Sequence, residues 1–166
     1  MIGIGTVIDG IGYVVSLLGW TGKIFFTKKK ISDGIRVAMT PTRNAVSINY
    51  GDQATVQIYM HVMNNTPVDQ KATHFVIRFY HGGTSIQIIP DRQVTIPAQK
   101  DVKVYLQANL YPTQALSMAK SELSQSNPRI EYNIAFSNSL HDFEISGSLD
   151  NLAVEPINLE YRLKTT

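Results

Sequence analysis

Strict two-residue alternation of apolar and polar side chains is the feature that most restricts how this chain can fold. In the stretch QATVQIYMHVM, the apolar side chains occupy every second position, namely Ala54, Val56, Ile58, Met60 and Val62. Successive side chains of a β-strand point to opposite faces of the sheet. The pattern therefore predicts a strand with one buried face and one exposed face, as in an antiparallel sheet.

Shorter runs of the same alternation recur along the rest of the chain, beginning with a predicted first strand near 35–39. Turn-forming residues separate the runs, at 64–67, 81–83, 90–91 and 127–128. The last run, 152–163, contains Pro156, which indicates an edge strand or a break. About eight or nine strands at this spacing favour a β-sandwich over a parallel βαβ sheet.

One segment departs from this rhythm. Residues 111–123 place Leu116, Ala119 and Leu123 at helical spacing behind Pro112, and proline favours the first turn of a helix. The sequence thus predicts a mainly β fold. It is an antiparallel sandwich with one short helix, preceded by a hydrophobic N-terminal helix.

That N-terminal helix is predicted from residues 2–22, a stretch of 21 residues whose one charged side chain is Asp9. A membrane-spanning helix needs roughly 20 predominantly apolar residues. Aromatic and basic residues follow at its C-terminal end, namely Trp20, Lys23, Phe25, Phe26, Lys28, Lys29 and Lys30. Aromatic residues and lysines are typical of a membrane interface, and the lysines indicate the cytoplasmic side.

A stripe of small or polar residues would run along one face of this helix. It consists of Gly5, Asp9, Gly12, Ser16 and Gly19, spaced by four, three, four and three residues. Small residues let helices approach closely in lipid, so the stripe predicts packing against a second copy or other membrane helices. Two alternatives remain: a helix lying flat in the interface, and a helix buried inside a large assembly.

These patterns divide the chain into three parts. We expect residues 1–30 to form a glycine-rich membrane anchor with a basic flank, residues 31–43 a linker and first strand, and residues 44–166 the sandwich domain. A single-pass anchor with lysines after it places the C-terminal domain in the cytoplasm.

The order of elements in the sandwich resembles a known family. VMNNTPVD leads into THFVIRFYHGGTSI, and VTIPAQKDVKVYLQANL then leads to a short helix and two closing strands. This arrangement, over residues 44–150, is similar to the LEA14-like domain, also called the water-stress and hypersensitive-response domain. The resemblance implies a Greek-key sandwich like fibronectin type III, implies no catalytic residues, and agrees with tethering near a membrane.

Little in the sequence predicts catalytic or metal chemistry. There is no cysteine, and the four histidines lack the spacing of a metal site. Asp142 and Glu144 would share one strand face, where we expect both to be solvated. Tyr59, Tyr80 and Tyr105 would face outward and are candidates for an aromatic binding patch. We expect no catalytic residue, no metal and no cofactor.

The sequence favours a non-enzymatic, membrane-anchored structural or interaction protein. Its expected partners are a lipid membrane and itself or other membrane helices, in a homo-oligomer or a larger assembly. The net charge of +2 gives no reason to expect a nucleic acid. One alternative is a virion structural protein that joins the internal membrane of a lipid-containing phage to its capsid. Another is a carrier of an apolar ligand between the two sheets.

Overall fold

Two five-stranded sheets and three short helices make up the part of the chain that the structure, a computed structural model, describes: residues 25–41, 45–90, 92–124 and 127–164. Most of the predicted anchor lies outside these residues, including Gly5, Asp9, Gly12, Ser16, Gly19, Trp20 and Lys23. Across the four described ranges, no helix combines the length and the apolar character that crossing a membrane requires.

The elements follow one another in the order α1 (Lys28–Asp33), β1 (Ile35–Met39), β2 (Val46–Asn49), β3 (Thr55–Asn64), β4 (Gln70–His81), β5 (Thr84–Ile88), β6 (Val94–Ile96), β7 (Lys100–Asn109), α2 (Pro112–Glu122), β8 (Arg129–Ser137), β9 (Asp142–Leu149), β10 (Val154–Ile157) and α3 (Leu159–Lys164). The predicted first strand is therefore present as β1. The protein is mainly β, as the alternation predicts.

Each sheet is built around one long strand. In the first, which we call the β3 sheet, β7 pairs along one edge of β3, while β1 and β2 lie end to end along the other. In the second, the β4 sheet, β8 pairs along one edge of β4, while β5 and β6 lie end to end along the other. Strand β9 extends the β4 sheet beyond β8.

One pairing departs from the antiparallel prediction. Strand β10 runs parallel to β2, with Val154 opposite Val46 and Ile157 opposite Asn49. The chain reaches β10 by crossing from β9 in the other sheet, and a crossover, unlike a hairpin, permits a parallel neighbour. Alternation in the sequence reports which face of a strand is buried but not the direction of its neighbour.

The core lies between the two sheets and follows the predicted faces. Val56, Ile58 and Met60 of β3 are at most 2% exposed, and Ile77 and Phe79 of β4 are fully buried opposite them. Burying a side chain of this size contributes about 1.5–3 kcal/mol. The alternation of β3 and β4 is therefore what holds the two layers together.

The predicted helix is present as α2, but its buried face differs from the expected one. The residues that pack into the core are Ala115, Met118 and Ala119, whereas Leu123 lies just past the helix and is 70% exposed. The prediction of a single short helix in the sandwich was wrong, because α1 and α3 are helices of six residues each. Helices this short span less than two turns, which is too little for periodicity to reveal.

The connections between strands gather at two ends of the sandwich. We call the end that carries α1 the proximal pole. It also holds the β3–β4, β6–β7 and β8–β9 connections, at 65–69, 97–99 and 138–141. The opposite end, which carries the β4–β5 turn, α2 and α3, is the distal pole.

Candidate functional site

The predicted membrane-interface residues that the structure describes lie together at the proximal pole. Phe25 is 67% exposed and Phe26 37% exposed, and the three lysines Lys28, Lys29 and Lys30 that begin α1 are also exposed. Within the described part of the chain, no carboxylate lies at ion-pair distance from any of these lysines. Two aromatic rings and three positive charges therefore share one end of the molecule.

Helix α1 is short but firmly placed. The hydroxyl of Thr27 accepts a hydrogen bond from the amide of Lys30 at 3.4 Å and so caps the first turn. Ile31 is 1% exposed and seats the helix on the core, while Ser32 is half-buried and lies on the next face. Beyond Gly34, which ends the helix, the chain enters β1 directly.

Two hydrogen bonds attach this N-terminal segment to the loops of the sandwich. The imidazole Nε2 of His141, in the β8–β9 connection, donates to the carbonyl oxygen of Phe26 at 2.8 Å. The amide of Asn65, in the β3–β4 connection, donates to the carbonyl oxygen of Gly34 at 2.9 Å. The segment that bears the aromatic and basic residues is thus held on both sides of α1.

Beneath α1 lies a cluster of polar side chains, which we call the polar knot: Asn64, Thr66, Gln70 and Asn138. The first three are at most 3% exposed. Nδ2 of Asn64 donates to the carbonyl oxygens of Val68 at 2.9 Å and Ile96 at 3.0 Å. Asn64 thereby joins the end of β3 to the end of β6 in the opposite sheet.

The rest of the polar knot continues this connection to His141. Oδ1 of Asn64 accepts from the hydroxyl of Thr66 at 2.6 Å, and that hydroxyl oxygen accepts from Nε2 of Gln70 at 3.0 Å. Oε1 of Gln70 accepts from Nδ2 of Asn138 at 2.9 Å. Oδ1 of Asn138 in turn accepts from the amide of His141 at 2.8 Å. An unbroken chain of hydrogen bonds therefore fixes the loop that holds Phe26.

The polar knot stabilises the pole chiefly because it is buried. A typical hydrogen bond adds a net of about 0.5–1.5 kcal/mol, but a buried polar group left without a partner costs about 1–3 kcal/mol. Both the oxygen and the nitrogen of the Asn64 amide are satisfied. The Asn-Asn-Thr-Pro stretch predicts a turn, but its pattern gives no sign of the whole network, because Ile96 and Asn138 come from distant parts of the chain.

A groove of about 640 Å³ lies beside α1, lined by Lys28 and the proximal ends of β4, β8 and β9. The sequence predicts that Asp142 and Glu144 share one strand face, and the structure places both in this groove as exposed side chains. The groove thus carries charge of both signs next to the attachment of the N-terminal segment.

The histidines occupy separate environments. His61 on β3 contacts Asp101 at 3.0 Å, and His81 is buried at the distal pole, 2.8 Å from Oε1 of Glu122. His74 is exposed on β4, and His141 lies at the proximal pole. Among the described residues, no three histidine, aspartate or glutamate side chains come together in a way that could hold a metal ion.

The three predicted outward tyrosines do not form one patch. The rings of Tyr59 and Tyr105 lie 4.9 Å apart on the outer face of the β3 sheet. Tyr80 lies on the β4 sheet, where its hydroxyl donates to Glu131 at 2.7 Å and the guanidinium of Arg129 lies over its ring. Only the first two could contribute to a common binding surface.

Comparisons with known proteins bear on the fold. No family model matches the chain, and no curated protein matches its sequence. The X-ray structure of a target of the Northeast Structural Genomics Consortium is similar, with a TM-score of 0.50 and 11% identity over 74% of this chain and 88% of that one. A crystal structure of a protein from Archaeoglobus fulgidus has a TM-score of 0.40 and 10% identity, over 69% of this chain and 93% of that one. A solution structure of a protein from Arabidopsis thaliana has a TM-score of 0.36 and 11% identity, over 72% of this chain and 78% of that one.

At 11% identity the first of these likenesses concerns the fold alone. Together with the two sheets and the core between them, it defines the class of protein: a β-sandwich built largely from antiparallel strands.

Proposed function

We propose that this chain is a non-enzymatic, membrane-anchored structural or interaction protein whose proximal pole faces a lipid surface. The observation that carries the proposal is the composition of that pole. It presents two exposed aromatic rings and three lysines that have no carboxylate partner in the described part of the chain, and His141 holds the segment that bears them.

Physical chemistry favours a membrane as the partner of this pole. A lysine near an anionic lipid surface contributes about 1 kcal/mol of binding free energy. Aromatic side chains such as Phe25 and Phe26 add apolar area at the boundary between headgroups and acyl chains. We further propose that residues 2–22 span the bilayer once, with the sandwich in the cytoplasm, and that their small-residue stripe packs on a second copy or on other membrane helices.

We also propose that the sandwich is a Greek-key domain of the LEA14-like, fibronectin-III-like kind. The support is the order of its parts. The Asn64–Pro67 turn connects the central strands of the two sheets, the Ile96–Ala98 turn leads from β6 into β7, and α2 precedes the pair β8 and β9. In this proposal the domain serves as a rigid module and has no catalytic residue.

The membrane proposal is tested with the full-length chain, whose single tryptophan, Trp20, is a natural fluorescent probe. The protein is reconstituted in phosphatidylcholine vesicles with and without phosphatidylserine, and brominated lipids are used to quench the tryptophan. We expect strong quenching in both lipids and resistance of the membrane-bound protein to carbonate extraction. Protein that washes off in carbonate would overturn the spanning anchor, and protein that sediments with a protein shell in its natural source would favour the virion alternative.

A separate experiment tests whether the positive charges of the proximal pole contact the lipid surface. Replacing Lys28, Lys29 and Lys30 by glutamine removes three charges, and we expect the sandwich to lose its contact with phosphatidylserine, seen as faster amide exchange in α1. The matched control replaces three exposed lysines away from the proximal pole, Lys103, Lys120 and Lys164, by glutamine. If both triple variants behave alike, the pole does not face the lipid.

A further inference from the structure

Strand β7 has one edge that no described strand covers, which we call its free edge. Its ten residues pair with β3 on one side, and among the described residues no strand pairs with its other side. An unpaired edge presents main-chain N–H and C=O groups that can accept another strand. The inner side chains of β7, Val104 and Leu106, are buried between the sheets, while Lys103, Tyr105 and Gln107 point outward.

A groove of about 530 Å³ runs along this free edge. One wall is β7 itself, over residues 103–107. The other belongs to the opposite sheet and consists of the end of β5, the start of β6 and the connection between them, through Ile88, Ile89, Pro90 and Val94. Ile89 is 49% exposed and Tyr105 48% exposed. A strand placed beside β7 would therefore meet apolar side chains with every second residue on its inner side.

Among the described residues that line this groove, the two charged side chains are both basic. Arg92 and Lys103 both line it and are exposed, and no carboxylate among the described residues lies at ion-pair distance from either. Asp101, the nearby acid of β7, is in contact with His61. Lysines on an edge strand normally discourage pairing with other strands. Arg92 and Lys103 would therefore discourage a neutral or basic strand from binding beside β7 and would favour an acidic one. Excluding wrong partners in this way is part of binding specificity.

We propose that the free edge of β7 binds an extended acidic segment of another protein by strand addition. Main-chain hydrogen bonds to β7 would provide affinity, as in other strand-addition complexes. Apolar side chains at alternate positions would enter the groove beside Ile88 and Val94, and carboxylates on the segment would face Arg92 and Lys103. This surface lies along the side of the sandwich rather than at the proximal pole, so it does not depend on membrane attachment.

The test uses the full-length protein in detergent micelles and a synthetic peptide of alternating valine and glutamate, about as long as β7. A peptide of alternating valine and lysine serves as the matched probe. Binding is followed by the amide resonances of the protein. We expect the acidic peptide to shift resonances in β7 and in residues 88–94 and to bind less tightly as salt is added, while the basic peptide leaves them unchanged.

Charge-reversal variants then test whether the two basic side chains of the groove select the acidic peptide. Reversing both charges, with Arg92→Glu and Lys103→Glu, should lower the binding affinity of the acidic peptide by about tenfold or more. Reversing Lys71 and Lys120, exposed lysines outside the groove, should not change its affinity. Equal binding of the two peptides, or shifts outside β7 and residues 88–94, would overturn the proposal. Laurate serves as a further probe. If laurate shifts the same amide resonances more than the acidic peptide does, the proposal is also overturned, and the groove is assigned to a small amphipathic anion.

Discussion

Nε2 of His141 lies 2.8 Å from the main-chain carbonyl oxygen of Phe26, although 115 residues separate the two in the sequence. Because a carbonyl oxygen can only accept, the histidine nitrogen must carry the proton. The loop that presents His141 is itself fixed, since Oδ1 of Asn138 accepts from the amides of Leu140 and His141. Through this hydrogen bond, the sandwich holds the main chain immediately before α1.

Removing the hydrogen bond between His141 and Phe26 should weaken the attachment of the N-terminal segment more than it lowers the stability of the whole fold. We expect His141→Ala to speed amide hydrogen exchange over residues 25–34 by about fivefold, because one hydrogen bond contributes about 1 kcal/mol. Exchange in the core strands should stay at its original rate. His74→Ala, a change at an exposed histidine on β4, is the matched control. Equal exchange in the two variants would show that His141 does not hold the segment.

Asn64 offers a second prediction, because two neighbouring asparagines differ in burial. Asn64 is 1% exposed and anchors the polar knot, whereas Asn65 is exposed and contributes its main chain. Replacing Asn64 by alanine leaves the main-chain amide of Thr66 without its acceptor and the carbonyl oxygen of Ile96 without its side-chain donor. We expect a loss of about 2–4 kcal/mol in the free energy of unfolding.

The same change at the next position is the control. Asn65→Ala should alter the free energy of unfolding by less than about 0.5 kcal/mol, as is usual for exposed side chains. Both variants are measured by chemical denaturation of the full-length protein, followed by circular dichroism. Similar losses in the two variants would mean that backbone conformation in the turn matters and that the buried amide does not.

The inner faces of the two central strands show where sequence reasoning succeeded. Alternation reports burial one strand at a time, so the buried faces of β3 and β4 were predicted correctly from Val56, Ile58 and Phe79. This inference rests on local patterns, in which each side chain is judged against its near neighbours.

The polar knot and the histidine contact could not be predicted in this way. Asn64 bonds to a carbonyl oxygen 32 residues away, and Asn138 to a side chain 68 residues away. Such contacts exist because three turns meet at one pole, and that meeting depends on the pairing of the strands. The direction of β10 depends on the same topology, which explains why the antiparallel prediction failed there.

Close packing at the end of α1 leads to a third prediction. A Cβ atom on Gly34 would lie 2.6 Å from the side-chain methyl carbon of Thr66. Gly34 has a φ of −81°, which alanine adopts without strain, so the obstacle is contact and not conformation. We expect Gly34→Ala to cost about 1–3 kcal/mol, as is typical of overpacking.

The partner residue provides the discriminating variant. Thr66→Ser removes the methyl group and keeps the hydroxyl that bonds to Asn64. In the double variant Gly34→Ala/Thr66→Ser, most of the lost stability should return, giving a coupling energy of about 1 kcal/mol or more in a double-mutant cycle. Strictly additive effects would contradict the predicted contact between these two residues.

At the distal pole, a buried tyrosine makes stability depend on high pH. Tyr50 is fully buried, and its hydroxyl donates to Oε1 of Glu122 at 2.9 Å. Burial first, and then the nearby charge of Glu122, raise the pKa of Tyr50 well above its ordinary value of about 10. In the folded protein this hydroxyl therefore keeps its proton under conditions in which the unfolded chain releases it.

The sign of the effect follows from that difference in bound protons. Below about pH 10 both states hold the Tyr50 proton, so the full contribution to stability is present. As pH rises above about 10 the unfolded state binds fewer protons than the native state, and the free energy of unfolding falls by up to about 1.4 kcal/mol per pH unit. The protein with Tyr50 is thus destabilised progressively by alkali.

Tyr50→Phe removes this proton. The variant should therefore change both the free energy of unfolding at neutral pH and the way in which that free energy depends on pH. At neutral pH the variant should be less stable by about 1–2 kcal/mol, because the bond to Glu122 is lost. The gap between the two proteins should then narrow as pH is raised from about 9 towards about 11.5, since only the original protein has the Tyr50 proton to lose. Tyr105, Tyr132 and Tyr161, whose pKa values are also raised, are present in both proteins and cancel in the comparison. Denaturation curves across this range provide the measurement, and a gap that stays constant with pH would show that the Tyr50 hydroxyl titrates alike in the folded and unfolded chain.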